Sequence, residues 1–141
     1  MPEIRHLVHI NAPVSVVYRA ITEQSGLQAW WTAGTIASPQ VGSIAEFRFG
    51  ERYHNKMRVT GLDQDRRVEW QCFHGDPEWI DTTFLFDLDA SEGHTILRFT
   101  HGNWRESTDF LASCNYHWGY YLHSLKAYCE TGVGTPFQGD A

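Results

Sequence analysis

The chain has 141 residues, of which 42% are hydrophobic and 20% are charged, and its formal net charge is −6. This length and composition predict one globular domain with a sizeable core. The negative charge argues against a general nucleic-acid binder, which needs cations to neutralise phosphates. Aromatic residues make up 14% of the chain, and such rings either fill a core or line a cavity that accepts another ring.

The three cysteines are Cys72, Cys114 and Cys129, an odd number without CxxC spacing. No charged segment followed by an apolar segment opens the chain, and no apolar run is long enough to span a bilayer. We therefore expect reduced thiols in a cytoplasmic protein that has no membrane span.

The first part of the chain predicts one strand and two short helices. Residues 3–11 alternate in polarity, as a half-buried strand does. Pro13 suits the first position of a helix, and apolar residues recur at helical spacing over residues 14–21. Gly26 is expected to break this helix, and residues 27–31 to form a second, short helical turn.

The middle of the chain predicts five strands, because from Ser43 onward the hydrophobic period becomes two. After the strand that begins at Ser43, the segments are residues 55–62, 68–73, 79–88 and 95–101. Short polar segments separate them, so we expect antiparallel neighbours joined by turns.

The last part predicts a single long helix over residues 107–131, ended by Gly132. Its apolar residues fall within a band roughly 120° wide, which would pack against the sheet. Tyr116, Tyr120 and His123 project from the other side. We expect these rings to lie on a neighbouring loop, such as the segment around Trp104, and a homodimer contact is the alternative.

The element order is therefore strand, two short helices, five strands and one long helix. It predicts an α+β fold in which a strongly curved, six-stranded antiparallel sheet grips the C-terminal helix. Residues 1–132 would form the single domain, followed by a tail of residues 133–141 that frays unless Phe137 docks. A sheet curled around one helix tends to leave a pocket, which favours small-molecule binding.

Several short motifs carry a resemblance to a known family. They are Ile10-Asn11-Ala12-Pro13, Leu27-Gln28-Ala29-Trp30-Trp31, Val41-Gly42, Arg67-Val68-Glu69-Trp70, Gly93-His94-Thr95, Trp118, Leu122, Leu125-Lys126 and Glu130-Thr131-Gly132. In this order the chain resembles the START-like (SRPBCC, Bet v-like) helix-grip superfamily over nearly its whole length. Within that superfamily it is similar to the branch that includes the C-terminal domain of the activator of the heat-shock-protein-90 ATPase.

The resemblance implies the helix-grip fold, with a deep apolar cavity between the sheet and the long helix. Members of the superfamily carry lipids, sterols or plant hormones, cyclise polyketides, or serve as chaperone cofactors. The branch has no shared catalytic motif that transfers to residues of this chain. The resemblance therefore bears on fold more than on function.

The candidate ligand-binding residues are the large side chains that the predicted elements turn inward. They are Trp30, Trp31, Phe47, Phe49, Met57, Trp70, Phe84, Phe86, Phe99, His101, Cys114, His117, Trp118 and Tyr121. Most of the strand residues among them must be ordinary core, and those nearest the open end of the grip would line the cavity. Of the two neighbouring tryptophans, either both serve the core or one contacts the ligand.

Two histidines could supply polar chemistry to such a cavity. His101 follows two inward apolar residues at period two, so it should point toward the long helix. His117 lies at the edge of the helix's apolar band and shares a face with Cys114 and Tyr121. This group could hydrogen-bond a carbonyl or phenol, or move a proton near neutral pH. The alternative is that both histidines only satisfy buried neighbours, or that His117 is solvated.

Three functions are compatible with these features. The favoured one is a binding module for a small apolar or aromatic molecule, without turnover. The second is an enzyme of the cyclase, dehydratase or hydrolase kind, with His101 or His117 as acid or base and Tyr121 orienting the substrate. The third is a chaperone-ATPase-activating interaction protein, disfavoured because the chain lacks the extra N-terminal domain of the eukaryotic co-chaperones that it resembles.

We expect no cofactor and no metal. Cys114, His117 and His101 could approach one another, but a zinc site would lack a fourth ligand with motif spacing. The expected partner is a small apolar or aromatic ligand rather than nucleic acid. The chain would be a monomer or a homodimer.

Overall fold

The computed structural model describes residues 1–138, which form a curved antiparallel sheet, two short helices and one long helix. The elements are β1 (Ile4–Ile10), α1 (Val14–Thr22), α2 (Gln24–Trp30), β2 (Gly34–Ile36), β3 (Ile44–Phe49), β4 (Tyr53–Asp63), β5 (Arg67–His74), β6 (Thr83–Ser91), β7 (His94–Gly102) and α3 (Asp109–Thr131). This confirms the α+β helix-grip fold. Within the described residues the sheet has seven strands, in the order β1-β7-β6-β5-β4-β3-β2.

The strand that sequence analysis missed is β2, a three-residue edge strand that pairs antiparallel with β3. Three residues are too few for an alternating pattern to stand out. The pairing is close, because a Cβ added at Gly34 would lie 3.0 Å from the Cβ of Arg48. The expected count of six strands was therefore one too low.

The two short helices differ from their sequence pattern in detail. Pro13 has an extended backbone (ψ 150°) and is the N-cap of α1 rather than its first helical residue. The chain leaves the helix at Glu23 (φ −92°, ψ 144°), and Gly26 lies inside α2. A Cβ at Gly26 would lie 2.6 Å from the Cα of Ala20, so this glycine lets α1 and α2 approach closely. The expected break at Gly26 was wrong.

Helix α3 is fixed to the first strand through its C-terminal half. The Lys126 ammonium donates a hydrogen bond to the His9 carbonyl (2.5 Å), and the Asn11 amide donates to the Glu130 carboxylate (2.7 Å). Hydrogen bonds from Lys126 and Asn11 hold the pKa of Glu130 below its ordinary value. The helix ends, as predicted, at Gly132, whose φ of 86° is left-handed.

The segment after α3 docks through Phe137. Its amide donates to the Trp31 carbonyl (2.8 Å), and its carbonyl accepts from the Ala33 amide (2.9 Å). Its ring lies 5.6 Å from that of Phe49. Of the segment that was expected to fray, residues 139–141 lie outside the described residues.

The core lies between the concave face of the sheet and α3. Trp118 on α3 contacts Phe99 on β7, with ring centroids 4.4 Å apart, and Phe84 on β6 at 6.1 Å. None of the helices formed by residues 1–138 combines the length and the apolar character that crossing a bilayer requires.

Candidate functional site

At one end, the curved sheet and α3 leave between them a cavity of about 390 Å³ that opens to solvent. It lies between the first half of α3, the adjoining ends of β3 and β4, and the turn before β6. Its lining residues are Trp31, Phe49, Arg52, Tyr53, Asn55, Asp76, Trp79, Phe110, Ser113, Cys114, His117, Trp118, Tyr121 and Phe137. The volume falls in the range of small-molecule sites, about 300–1,000 Å³.

The inner wall of the cavity is a pair of stacked tryptophans. The rings of Trp31 and Trp118 lie 5.1 Å apart at an angle of 27°. Both residues are buried, and Trp31 also packs on Phe47, 4.5 Å away. These two rings therefore separate the cavity from the solid core.

Further rings form the sides, where the sheet and α3 approach each other without closing. Phe49 at the end of β3 lies 6.2 Å from Tyr121. Tyr53 at the start of β4 lies 6.5 Å from Phe110. The guanidinium of Arg52, an exposed residue, lies 5.5 Å from the centre of the Tyr53 ring. The cavity is thus aromatic on its sides and carries a cation among its lining residues.

The turn that precedes β6 places Trp79 in the cavity wall. The Trp79 amide donates to the Asp76 carbonyl (2.8 Å), and the Thr82 hydroxyl donates to the Trp79 carbonyl (2.6 Å). The sequence pattern predicted a strand over residues 79–88, but β6 begins at Thr83. Trp79 is therefore in a turn, and its ring packs on Phe84 at 5.2 Å.

Two polar atoms of the lining residues lack hydrogen-bond partners among the described residues. They are the Asn55 amide oxygen and the Trp79 indole nitrogen, and both atoms are buried. Gly75 makes room for the Asn55 amide, because a Cβ there would lie 2.3 Å from its oxygen. Leaving a buried polar group unpaired costs roughly 1–3 kcal/mol. The wall therefore has unused capacity for hydrogen bonds.

The thiol and the phenol on the α3 side are un-ionised at neutral pH. Burial raises the pKa of Cys114 to about 11, and the charges of Asp76 and Glu78 add to this shift. Burial also raises the pKa of Tyr121, with a smaller contribution from Tyr120. Both groups can therefore act as hydrogen-bond donors.

His117 lies on the exposed rim of the cavity. Its Nδ1 is 2.8 Å from the Ser113 carbonyl, to which it donates. This bond leaves Nε2 free to accept a hydrogen bond when the ring is neutral.

His101 points toward α3, as its position in the strand predicted, but it lies behind the cavity wall. The Trp118 indole donates to His101 Nδ1 (3.2 Å), so Nε2 carries the proton and donates to the Thr82 hydroxyl (2.9 Å). Burial lowers the pKa of His101 well below 6.5. The ring of Trp79 meets it edge to face at 4.9 Å. His101 is therefore a neutral core residue with both nitrogens used.

The structure divides the fourteen candidate ligand-binding residues into two groups. Those that line the cavity are Trp31, Phe49, Cys114, His117, Trp118 and Tyr121. Those that lie in the solid core instead are Trp30, Phe47, Met57, Trp70, Phe84, Phe86, Phe99 and His101. Each residue of the second group is at most 2% exposed. His101 and His117 consequently do not share the cavity.

Eight lining residues were not among the candidates. They are Arg52, Tyr53, Asn55, Asp76, Trp79, Phe110, Ser113 and Phe137. For some of these residues, the sequence pattern does indicate a position in the cavity wall. Tyr53 and Asn55 continue the inward parity of Met57, and Phe110 lies on the same helical face as Ser113 and Cys114. The turn that carries Trp79 has no period, so its direction could not be inferred from the sequence.

Within residues 1–138, no group of three or more histidine, cysteine, aspartate or glutamate side chains is arranged to hold a metal ion. Cys72, Cys114 and Cys129 are free thiols.

Solved structures share this architecture. The Aha1 dimer from Colwellia psychrerythraea is 39% identical, covers 95% of this chain and 100% of its own, and superimposes with a TM-score of 0.87. The protein SSP2350 from Staphylococcus saprophyticus is 16% identical over 99% of this chain and 98% of its own, with a TM-score of 0.79. DynU16, from the dynemicin biosynthetic locus, is 19% identical over 98% of this chain and 51% of its own, with a TM-score of 0.82. The last two likenesses show the fold alone.

A comparison with curated proteins finds no match. Residues 11–130 match the family described as Activator of Hsp90 ATPase homolog 1-like protein. This match spans most of the chain, and the 39% identical relative agrees with it. The chain therefore belongs to the Activator of Hsp90 ATPase homolog 1-like family, within the START-like helix-grip superfamily.

Proposed function

We propose that the protein binds a small apolar or aromatic molecule in the cavity between the sheet and α3, without turning it over. The observation that carries this proposal is the cavity of about 390 Å³ lined by aromatic rings. Rings of this kind contact another ring through offset stacking or edge-to-face packing. The Trp31–Trp118 pair offers such a surface at the inner wall.

The polar groups of the cavity favour a guest that also carries a hydroxyl or carbonyl. Cys114 and Tyr121 offer neutral donors, and His117 offers an acceptor at the rim. The unpaired atoms of Asn55 and Trp79 add an acceptor and a donor, which a guest can reach after a small adjustment of the wall. A guest with a neutral polar group therefore suits the cavity better than a hydrocarbon.

The placement of the histidines supports binding rather than acid–base catalysis. His101 has both nitrogens engaged in the core, and burial keeps its pKa well below 6.5. His117 has no acidic partner among its hydrogen bonds. An acid–base pair needs two groups within reach of one reacting atom, and these two histidines are on different sides of the cavity wall.

The proposal predicts thermal stabilisation by a guest, because a ligand that binds only the folded state raises the melting temperature. Wild-type protein is heated with naphthols, polyketide-like aromatics or fatty acids. The Ser113→Trp variant, designed to block the cavity, is the test, and Ser91→Trp at the exposed end of β6 is the matched control. We expect at least one class to raise the melting temperature of the wild type and of Ser91→Trp, but not of Ser113→Trp. Stabilisation by no class, or equal stabilisation of all three proteins, would contradict the proposal.

An interaction with a chaperone ATPase is the second candidate function. The family description and the 39% identical Aha1 from Colwellia psychrerythraea favour it. The experiment is the ATPase rate of the heat-shock protein 90 of the same organism, measured with and without added protein. A rate that does not change at saturating protein would remove this candidate.

We propose a homodimer in the cytoplasm as the working state of the protein. The dimer of the 39% identical relative supports the assembly. The three free thiols support the location, because reduced cysteines are typical of that compartment. Sedimentation equilibrium should give twice the chain mass of 16.2 kDa, and cell fractionation should recover the protein with cytoplasmic markers.

A further inference from the structure

The exposed side of α3 carries no carboxylate, ammonium or guanidinium group along most of its length. From Phe110 to Leu125 the sequence has no aspartate, glutamate, lysine or arginine, although such residues make up 20% of the chain. The exposed residues of this segment are Ala112, Ser113, Asn115, Tyr116, His117, Gly119, Tyr120 and His123. Solvent-facing sides of helices normally carry charged residues. The exposed side of α3 is therefore a candidate interface with another molecule.

Five of these residues form a stripe at helical spacing, which we name the outer stripe: Ala112, Tyr116, Gly119, Tyr120 and His123. Tyr116 is 79% exposed and Tyr120 is 54% exposed.

From the sequence we expected the segment around Trp104 to cover the rings of the outer stripe. In the structure it does not. Trp104 is itself buried, at 1% exposure, and packs on His101 and Phe110. It is not free to lie over Tyr116 or Tyr120. Within the described residues both rings face solvent, which is typical of an interface rather than of a completed surface.

Gly119 lies in the middle of the outer stripe and is not required by the fold of its own chain. A Cβ at this position would meet only the Cε1 atom of His6, at 3.7 Å, which is an ordinary contact. Glycine is among the poorest residues for a helix interior, so its presence here needs a reason. A glycine flanked by exposed tyrosines lets a second helix approach the backbone.

We propose that the outer stripe is the surface on which a second copy of this chain packs, helix against helix about a two-fold axis. This inference rests on the homodimer proposed above and names its interface. Two copies that each carry a net charge of −6 repel one another, and a face without carboxylates lets them meet without contacts between negative groups. A two-fold axis brings the same patch of both copies together, and tyrosines are enriched in such interfaces.

The outer stripe borders the cavity. Tyr116 meets His117 edge to face at 5.6 Å, and Tyr120 meets Tyr121 in the same way at 5.1 Å. His117 and Tyr121 line the cavity. A second copy on the outer stripe would therefore flank the cavity mouth.

The test is sedimentation equilibrium of the full chain. The proteins are the wild type, the double variant Tyr116→Glu/Tyr120→Glu, and Gly119→Leu, which adds bulk where the helices would meet. Val41→Glu is the control, because Val41 is 61% exposed and lies outside α3. We expect the wild type and Val41→Glu to have twice the mass of the 16.2 kDa chain. We expect both α3 variants to raise the dimer dissociation constant roughly ten-fold or more.

A wild type that is dimeric, with α3 variants that dimerise as tightly as it does, would overturn the interface and leave the homodimer standing. A wild type that is monomeric at every concentration would overturn both. Neither result touches guest binding, which the thermal-shift experiment decides separately. Circular dichroism checks that each variant is folded, and if the double variant is not, Gly119→Leu alone decides.

Discussion

His101 organises the inner side of the cavity wall through a chain of hydrogen bonds. The Trp118 indole donates to His101, His101 donates to the Thr82 hydroxyl, and Thr82 donates to the Trp79 carbonyl. Each donor has one acceptor, so the chain works only with a neutral imidazole. His101 therefore positions Trp118 and Trp79, which line the cavity, without reaching it.

This arrangement predicts a loss of stability in acid. Burial lowers the pKa of His101 in the folded protein, whereas an unfolded histidine titrates near pH 6.5. The stabilisation that the neutral His101 side chain gives the folded protein is therefore complete above about pH 6.5. As the pH falls below it, only the unfolded chain takes up the proton, and the free energy of unfolding drops by up to about 1.4 kcal/mol per pH unit.

Urea unfolding from about pH 7.5 to about pH 5 measures this effect. We expect His101→Phe to flatten the pH dependence, and His94→Gln, which changes an exposed histidine, to leave it unchanged. The same slope in wild type and His101→Phe would assign the acid sensitivity to another group.

The alternation of residues along the strand was enough to predict that the His101 side chain points toward α3. It could not predict that Trp79 lies in front of it, because Trp79 is in a turn where the side-chain direction follows from hydrogen bonds to Asp76 and Thr82. Those bonds form between residues three apart, in a segment that has no hydrophobic period.

The start of α3 is tied to the turn that forms one wall of the cavity. The Thr108 hydroxyl accepts from the Leu111 amide (3.1 Å), which caps the helix, and donates to the Glu78 carboxylate (2.5 Å). Glu78 is next to Trp79 in that turn. One side chain thus holds two elements that border the cavity.

We predict that Thr108→Ala lowers the free energy of unfolding by about 1 kcal/mol, because the helix loses its N-cap. The Thr108→Ser variant keeps the hydroxyl and should retain most of the stability. Urea unfolding of the three proteins measures the difference. Equal losses for the alanine and serine variants would show that the methyl group, and not the hydroxyl, is responsible.

The long elements were predictable, and the short ones were not. Helix α3 has six turns of apolar periodicity and a glycine at its end, so its length and its C-terminus follow from the sequence. Strand β2 is too short for a pattern, and it exists because β3 offers a free edge. From the sequence alone, Gly26 is interpreted as a helix breaker. In the structure, the close approach of Ala20 is the reason that a glycine is needed at this position.

The molecule as a whole is a curved sheet that closes on α3 at one end and remains open at the other. The alternating pattern of a strand shows which face is buried, but not how deep each residue lies. Phe47 and Phe49 have the same parity, yet Phe47 is core and Phe49 lines the cavity. The difference follows from the position of the β3–β4 hairpin relative to α3, which depends on the pairing of all the strands.

We propose that the open end of the grip admits a guest. Amide spectra of isotope-labelled wild type titrated with naphthol test it most directly, with Ser113→Trp as the blocked variant. We predict concentration-dependent shifts at residues 49–55, 76–79 and 110–121 in the wild type, and no such shifts in Ser113→Trp. Shifts that are equal in both proteins, or confined to residues away from the cavity, would show that the guest does not bind there.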